Sequence, residues 1–272
     1  MRCALPGGSW QDGRLERTVV LRPLTGRLEQ DMLGQFVEGR SWPEIVSGLL
    51  DAAVDRVGDR PSSVSLVEEL AVTDRQYLLL RLGALMHGDH FWATATCSQC
   101  RAPFDLGLRR SQLPVKAAEP GFPFFALDCS GHRLVVRAPS GADQTHVAWL
   151  PEDQTVRALL QRCLVSVDGQ TAPPDFAARL DADTVARIEG VLDERAPAIG
   201  TRVATRCPEC TAELVVEVDP YLPARWRRGD LYGEVHVIAG RYHWSEADIL
   251  ALPRQRRQLY LELIGQESDL HR

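Results

Sequence analysis

The chain has 272 residues, of which 44 % are hydrophobic and 25 % are charged, as is ordinary for a folded globular protein. Its net charge of −6 argues against a general nucleic-acid binder, because affinity for phosphates depends on clustered Lys and Arg. No apolar run is long enough to cross a bilayer, since Arg81 interrupts even the stretch from Tyr77 to Met86.

The N-terminus lacks the apolar core of a secretion signal and turns acidic by Asp12. We therefore expect a cytoplasmic protein, either free or associated with a particle. Disulfides are rare in that compartment, so the seven cysteines are expected to be metal ligands or buried thiols.

Residues 1–90 are predicted to form an N-terminal region of strand and helices. Hydrophobic periodicity predicts one strand and three helices, over Arg14–Arg22, Gly26–Phe36, Ser41–Val57 and from Thr73 to Gly88. Thr73 and Gln76 have the spacing of a capping box, which predicts that the third helix begins at Thr73.

Two β-hairpins are predicted, over residues 91–110 and 199–220. From Phe91 the hydrophobic period changes to two, which indicates a strand that runs into Cys97. The second hairpin repeats this pattern around Cys207, so each hairpin carries a Cys-x-x-Cys at its tip. This strand–knuckle–strand unit is the only internal repeat that we expect.

The segments outside the N-terminal region and the two hairpins are predicted to contain both helices and strands. Residues 111–198 are predicted to be an inserted segment of mixed α/β structure, and residues 221–272 a C-terminal helical docking region. The fold class is therefore α+β, with helical N- and C-terminal parts around two zinc-knuckle hairpins that form a discontinuous zinc ribbon.

Four cysteines, Cys97, Cys100, Cys207 and Cys210, are predicted to bind one structural zinc ion. Zinc takes four tetrahedral ligands, and two residues between a pair of cysteines let both sulfurs reach one ion from a tight turn. The gap of 106 residues between Cys100 and Cys207 is far longer than in compact fingers, but the repeated hairpin supports one shared site. Four thiolates leave no position for water, so a catalytic ion is not expected.

Two other interpretations of the cysteines stay open. They could be two unrelated pairs of buried thiols, or one pair could be a thioredoxin-like redox centre. A redox pair normally lies at a helix N-terminus, which lowers the thiol pKa, whereas strand-forming residues flank both pairs here.

Enzyme signatures are missing from the sequence. It has no phosphate-binding Gly-rich loop, no dinucleotide fingerprint, no nucleophile elbow and no His-Glu-x-x-His. The carboxylates form no pair that we can assign as acid and base. We expect a protein that is not an enzyme and has no small-molecule, nucleic-acid or membrane partner.

Aromatic residues in the C-terminal region are candidates for binding a protein partner, because aromatic residues and Arg dominate interface anchors. The candidates are Trp226, Tyr242, His243, Trp244 and Tyr260. An alternative explains the spacing equally well: Tyr242 and Trp244 simply cover the core at a corner between two helices.

An ordered set of motifs resembles a known family. The motifs are Leu21-Arg22-Pro23-Leu24-Thr25-Gly26, Asp74–Leu80, both Cys-x-x-Cys pairs, Glu234-Val235-His236, Tyr242–Glu246 and Arg256-Arg257 with Tyr260-Leu261. Together they resemble the T4-type baseplate hub assembly chaperone family of contractile phage tails and contractile injection systems. Knuckles of that family usually end in Gly, whereas Arg101 and Thr211 follow the second cysteines here.

The resemblance implies a non-enzymatic assembly factor, or chaperone, for the baseplate or hub of a contractile tail-like particle. Its partners would be hub or wedge proteins, bound by the C-terminal helices. Two alternatives are a permanent structural component of the baseplate and a zinc-ribbon module that binds nucleic acid. The net negative charge disfavours a module that binds nucleic acid.

Overall fold

A computed structural model describes residues 1–219 and 228–270 of the chain. These residues form helices and antiparallel sheets in a mixed α+β arrangement, as the sequence predicts. None of the described helices is both long and apolar enough to span a bilayer. The predicted partner-binding residue Trp226 lies outside the described residues.

Residues 2–109 contain a four-stranded sheet, four helices and a separate hairpin. In chain order the elements are β1 (Arg2–Gln11), β2 (Arg14–Leu21), α1 (Gly26–Leu33), α2 (Trp42–Ala53), β3 (Val54–Val57), β4 (Arg60–Pro61), α3 (Val64–Glu69), α4 (Val72–His87), β5 (His90–Thr96) and β6 (Pro103–Arg109). Strands β1 to β4 pair in that order, and their apolar side chains form one core with the helices.

Several elements of this part differ from the prediction, which also left out strand β4 and helix α3. Strand β1 was missed because Pro6-Gly7-Gly8 interrupts its alternation; the pairing with β2 shifts between Ala4 and Ser9 and so accommodates the glycines as a bulge. The helix predicted over Ser41–Val57 ends at Ala53, because the next four residues pair with β2 as strand β3.

Residues 115–218 contain a second sheet and a second hairpin. The elements are β7 (Val115–Lys116), β8 (Phe124–Cys129), β9 (His132–Arg137), α5 (Gly141–Val147), α6 (Glu152–Cys163), β10 (Leu164–Val167), β11 (Gln170–Thr171), α7 (Ala182–Arg195), β12 (Ala198–Ile199), β13 (Arg202–Arg206) and β14 (Glu213–Glu217). Strands β8 to β11 pair in the same order as β1 to β4, and a 3₁₀ turn over Ala177–Arg179 takes the place of α3.

These two parts are copies of one architecture, which we call the first repeat (residues 2–109) and the second repeat (residues 115–218). From α2 to the second hairpin strand, residue n of the first repeat matches residue n + 110 of the second. Identical residues at matching positions are few and mostly buried, as in Leu50 with Leu160, Val57 with Val167 and Leu70 with Leu180. The prediction of one short repeated unit was therefore too narrow.

Three helices form a shorter C-terminal unit: α8 (Arg228–Tyr242), α9 (Glu246–Ala251) and α10 (Arg254–Leu270). Helices α9 and α10 match α3 and α4 at a shift of 182 residues. Ser245 caps α9 as Ser63 caps α3, and Arg257 is buried as Arg75 is. No strand accompanies these helices among residues 228–270.

Two matching pairs of backbone hydrogen bonds connect the three units, and we call each pair a joint. One joint connects the first repeat to the second repeat, and the other connects the C-terminal unit to the first repeat. The hydrogen bonds run from Val72 N–H to Pro139 O (3.0 Å), Gly141 N–H to Leu70 O (3.1 Å), Arg254 N–H to Leu24 O (2.9 Å) and Gly26 N–H to Leu252 O (3.3 Å). The first repeat thus docks on the second as the C-terminal unit docks on the first. Helix α4 begins at Val72, ahead of the predicted cap Thr73, because a carbonyl of the second repeat accepts its first N–H.

Candidate metal centre and docking face

The structure brings all four predicted ligands together. Cys97 and Cys100 lie in the turn between β5 and β6, and Cys207 and Cys210 lie in the matching turn between β13 and β14. The four sulfurs are within 4.8 Å of one another. The Cys97 and Cys210 sulfurs are 3.7 Å apart, and so are those of Cys100 and Cys207. This cluster could hold a metal ion, and it is the only such cluster of His, Cys and acidic residues in the described part of the chain.

Both knuckles have the same backbone geometry. The N–H of Cys97 donates to Ala102 O (3.0 Å), and the N–H of Arg101 donates back to Cys97 O (3.0 Å). The turn places Arg101 at φ 64°, and its counterpart Thr211 has φ 61°. Glycine is normally preferred in this left-handed conformation, and a β-branched Thr is particularly disfavoured there. The departures from Gly therefore leave the turn intact at a cost in backbone strain.

The duplication explains the long gap between the two cysteine pairs. Each repeat supplies one knuckle. At the base of the hairpins, Phe91 of β5 and Val218, which follows β14, share an apolar cluster with Leu80 of α4 and Leu113. Within each knuckle the first cysteine is buried and the second is exposed. The ligands thus lie at the tips of two packed hairpins, one from each repeat.

The two thiols of the first knuckle have strongly shifted pKa values. The N–H groups of Cys100 and Gln99, together with neighbouring thiols, lower the pKa of Cys97 to about 6. At Cys100, the N–H of Ala102 lowers the pKa, but local desolvation beside the other sulfurs and the hydrogen bonds with those three sulfurs outweigh it and raise the pKa to about 12. One ligand is therefore readily a thiolate, whereas another gives up its proton only when a cation replaces it.

The remaining cysteines do not join the cluster. Cys129 and Cys163 are buried in the second repeat, and Cys3 is half-buried in the first. Burial raises the pKa of the Cys163 thiol to about 12, which suits an inert structural thiol.

Three of the predicted partner-binding residues pack together as an aromatic corner, which consists of Tyr242, Trp244 and Tyr260. The ring centroids of Tyr242 and Trp244 are 5.2 Å apart in a stacked arrangement, and Trp244 and Tyr260 meet edge to face at 5.0 Å. Trp244 is still 36 % exposed. His243 is exposed at φ 57° and does not belong to the ring cluster. The corner both covers the helix junction and presents apolar surface.

A buried ion-pair network, which no pattern in the sequence predicts, holds the aromatic corner's helices against the first repeat. Arg257 is fully buried and contacts Glu29 (2.5 Å) and Glu234 (3.0 Å). Arg254 also pairs with Glu29, at 2.6 Å. Glu234 and the Arg256-Arg257 pair were noticed only as family motifs; nothing local in the sequence indicates that they meet.

In the comparison with known proteins, the chain matches the model of one protein family. A family model described as "T4 bacteriophage base plate protein" matches residues 3–220, which include both repeats and both knuckles. No curated protein and no solved structure matches the chain.

Proposed function

We propose, because the chain belongs to the T4 bacteriophage base plate protein family, that it is a non-enzymatic assembly factor for the baseplate or hub of a contractile tail-like particle. The observation that carries this proposal is the family match across both repeats. In this proposal the chain works by docking, and it holds a hub or wedge subunit until that subunit joins the baseplate.

The C-terminal unit supports docking as the mode of action. Its inner side is fixed to the first repeat by the Arg257 network. Its outer side keeps Trp244, Leu259 and Leu263 exposed at 36 %, 53 % and 40 %. A rigid base with exposed aromatic and aliphatic anchors is the usual construction of a protein-binding surface.

Zinc is the metal that we assign to the cysteine cluster. Sulfurs at about 2.3 Å from a tetrahedral zinc are about 3.8 Å apart. Two of the observed separations are 3.7 Å, and all four sulfurs lie within 4.8 Å of one another, which is close to that geometry. Cys97, Cys100, Cys207 and Cys210 would hold the ion, which would serve only as a link between the two repeats. A link of this kind constrains the unfolded chain, as a disulfide closing a loop of about 100 residues does.

Metal analysis tests the zinc assignment. Purified protein should contain about one zinc per chain, and Cys207→Ser should lose it and unfold at lower denaturant concentration, with a loss of about 4 kcal/mol by analogy with such a loop. Cys3→Ser, which alters a thiol outside the cluster, should keep its zinc. A wild-type protein without bound zinc contradicts the assignment.

Affinity purification tests the assembly role. A tagged chain isolated from cells that carry the apparatus genes should bring down a hub or wedge subunit, and deletion of its gene should reduce the number of complete particles. Recovery of no baseplate subunit, together with normal assembly after deletion, contradicts the proposal.

A permanent structural component of the baseplate is the second candidate. The family description favours it as much as it favours an assembly factor, because it specifies a base plate protein and no stage of assembly.

A further inference from the structure

In the first repeat, the strand β1 lies lengthwise along helix α4. Asp74, near the start of the helix, accepts the N–H groups of Gly7 (2.8 Å) and Gly8 (2.9 Å) in β1. Two turns later the charge of Arg81 acts on Cys3, near the start of the strand. The helix and the strand therefore run antiparallel.

The second repeat uses the same arrangement. Thr184, which matches Asp74, hydrogen-bonds Ser130, the residue directly after β8 (2.5 Å). Arg187, which matches Tyr77, donates to the carbonyl of Asp128 within that strand (2.9 Å). Helix α7 is thus also covered by the first strand of a hairpin, again antiparallel.

The C-terminal unit has the helix but lacks the strand. The positions of α10 that match Asp74, Tyr77 and Arg81 are Arg256, Leu259 and Leu263, which we call the α10 stripe. They lie three and four residues apart and so share one helix face. Leu259 and Leu263 are 53 % and 40 % exposed, and no described strand covers them. The side chain of Arg256 is exposed and contacts no acidic group in the described part of the chain.

We propose that a baseplate subunit supplies the missing strand, as the first strand of a β-hairpin that lies antiparallel along the α10 stripe. This inference rests on the proposed function. A hairpin is required because a lone strand would leave its backbone groups unpaired. Where the partner's strand passes Leu259 and Leu263, its side chains that face the helix are apolar. A carboxylate lies beside Arg256, because the acceptor Asp74 of the first repeat is replaced by a cation here.

Site-specific photo-cross-linking tests the inference in cells that produce the apparatus. The photoreactive residue p-benzoylphenylalanine replaces Leu259 or Leu263, and Val156, 47 % exposed on α6, serves as the matched control. Both test positions should cross-link to one baseplate subunit within a single β-strand. The Leu263 target should precede the Leu259 target in that subunit's sequence, because the strand is antiparallel to α10.

Several outcomes overturn the inference. Targets in a helix of the subunit, in a second copy of this chain or in residues 220–227 of the same chain all contradict a partner strand. A baseplate subunit captured through a helix leaves the proposed function standing. Failure to recover any baseplate subunit, by cross-linking or by affinity purification, contradicts the proposed function itself.

Affinity for the identified subunit gives an independent check. Leu259→Asn and Arg256→Glu should each weaken binding about tenfold. Val156→Asn should leave it unchanged. All three positions are exposed, so the melting temperatures should match the wild type. Unchanged affinity in Leu259→Asn overturns the inference.

Discussion

At the scale of single residues, a buried arginine lies at each of the two joints between units. Arg75 donates to the carbonyls of Pro43 (2.8 Å) and Val67 (2.9 Å) in its own repeat, beside the glycine that opens α5. Arg257 occupies the matching place in the C-terminal unit but pairs with carboxylates of Glu29 and Glu234. The two matching arginines thus lie at the two joints, but Arg75 binds backbone carbonyls whereas Arg257 binds carboxylates.

Arg257→Met should strongly destabilise the attachment of the C-terminal unit. The substitution leaves the buried carboxylates of Glu29 and Glu234 without their main cation, which typically costs about 3–5 kcal/mol. Arg256→Met, at the exposed neighbouring position, should change the free energy of unfolding by less than about 0.5 kcal/mol. Equal denaturation midpoints for the two variants would refute the importance of this network.

Asp74 should make stability depend on pH. Burial raises its pKa to about 6, against the opposing effect of the N–H groups of Gly7 and Gly8. The folded state therefore binds a proton that the unfolded state releases near pH 4. The free energy of unfolding should fall by about 2 kcal/mol as the pH rises from 4 to 6.

The comparison with Asp74→Asn isolates this effect from pH-dependent metal binding. Urea titrations of both proteins at pH 4, 5, 6 and 7 should show that the wild type loses about 2 kcal/mol relative to the variant between pH 4 and 6, and only about 0.3 kcal/mol more between pH 6 and 7. Parallel profiles between pH 4 and 6 would show that Asp74 does not titrate in this range.

At the scale of elements, glycines at the joints should be intolerant of a side chain. A Cβ at Gly141 would overlap the guanidinium of Arg75, whereas a Cβ at Gly190 in α7 meets nothing within 4 Å. Gly141→Ala should therefore destabilise the protein by about 1–3 kcal/mol. Gly190→Ala should stabilise it by about 0.5–1 kcal/mol, because alanine favours the helix. Thermal melts of both variants check this, and a stable Gly141→Ala would contradict the close packing of the joint.

The sequence predicted the elements that local patterns specify. The two hairpins and their knuckles follow from alternation and spacing, and helix α2 begins next to Ser41, where periodicity predicted its start. Strand β1 could not be recognised, because its glycines are accommodated only by pairing with β2. The start of α4 was misplaced because its cap is the carbonyl of Pro139, distant in the chain.

At the scale of the whole molecule, the duplication was hidden because the repeats share backbone architecture more than side chains. Matching positions such as Arg75 and Val185, or Asp74 and Thr184, differ in chemistry while keeping their place in the fold. Only the knuckle cysteines are a readily visible sign of the duplication in the sequence, since a shared metal would require all four of them. The long gap between the cysteine pairs reflects the length of a repeat.

The described residues form three units, which follow one another in space in the order second repeat, first repeat and C-terminal unit. The cysteine cluster lies where the knuckles of the first and second repeats meet, and the joint at Gly26 attaches the C-terminal unit to the first repeat. The family match ends at residue 220, so the C-terminal unit lies beyond it. In our proposal the repeats form a scaffold common to the family, and the C-terminal unit presents the docking surface for the client.

Quantitative mass spectrometry at successive stages of assembly tests the central claim, that the chain is an assembly factor. The account predicts the chain in complexes with a hub or wedge subunit taken from cells during assembly, and its absence from purified complete particles. A fixed number of copies of the chain in every purified particle would contradict the account and establish a permanent structural component instead.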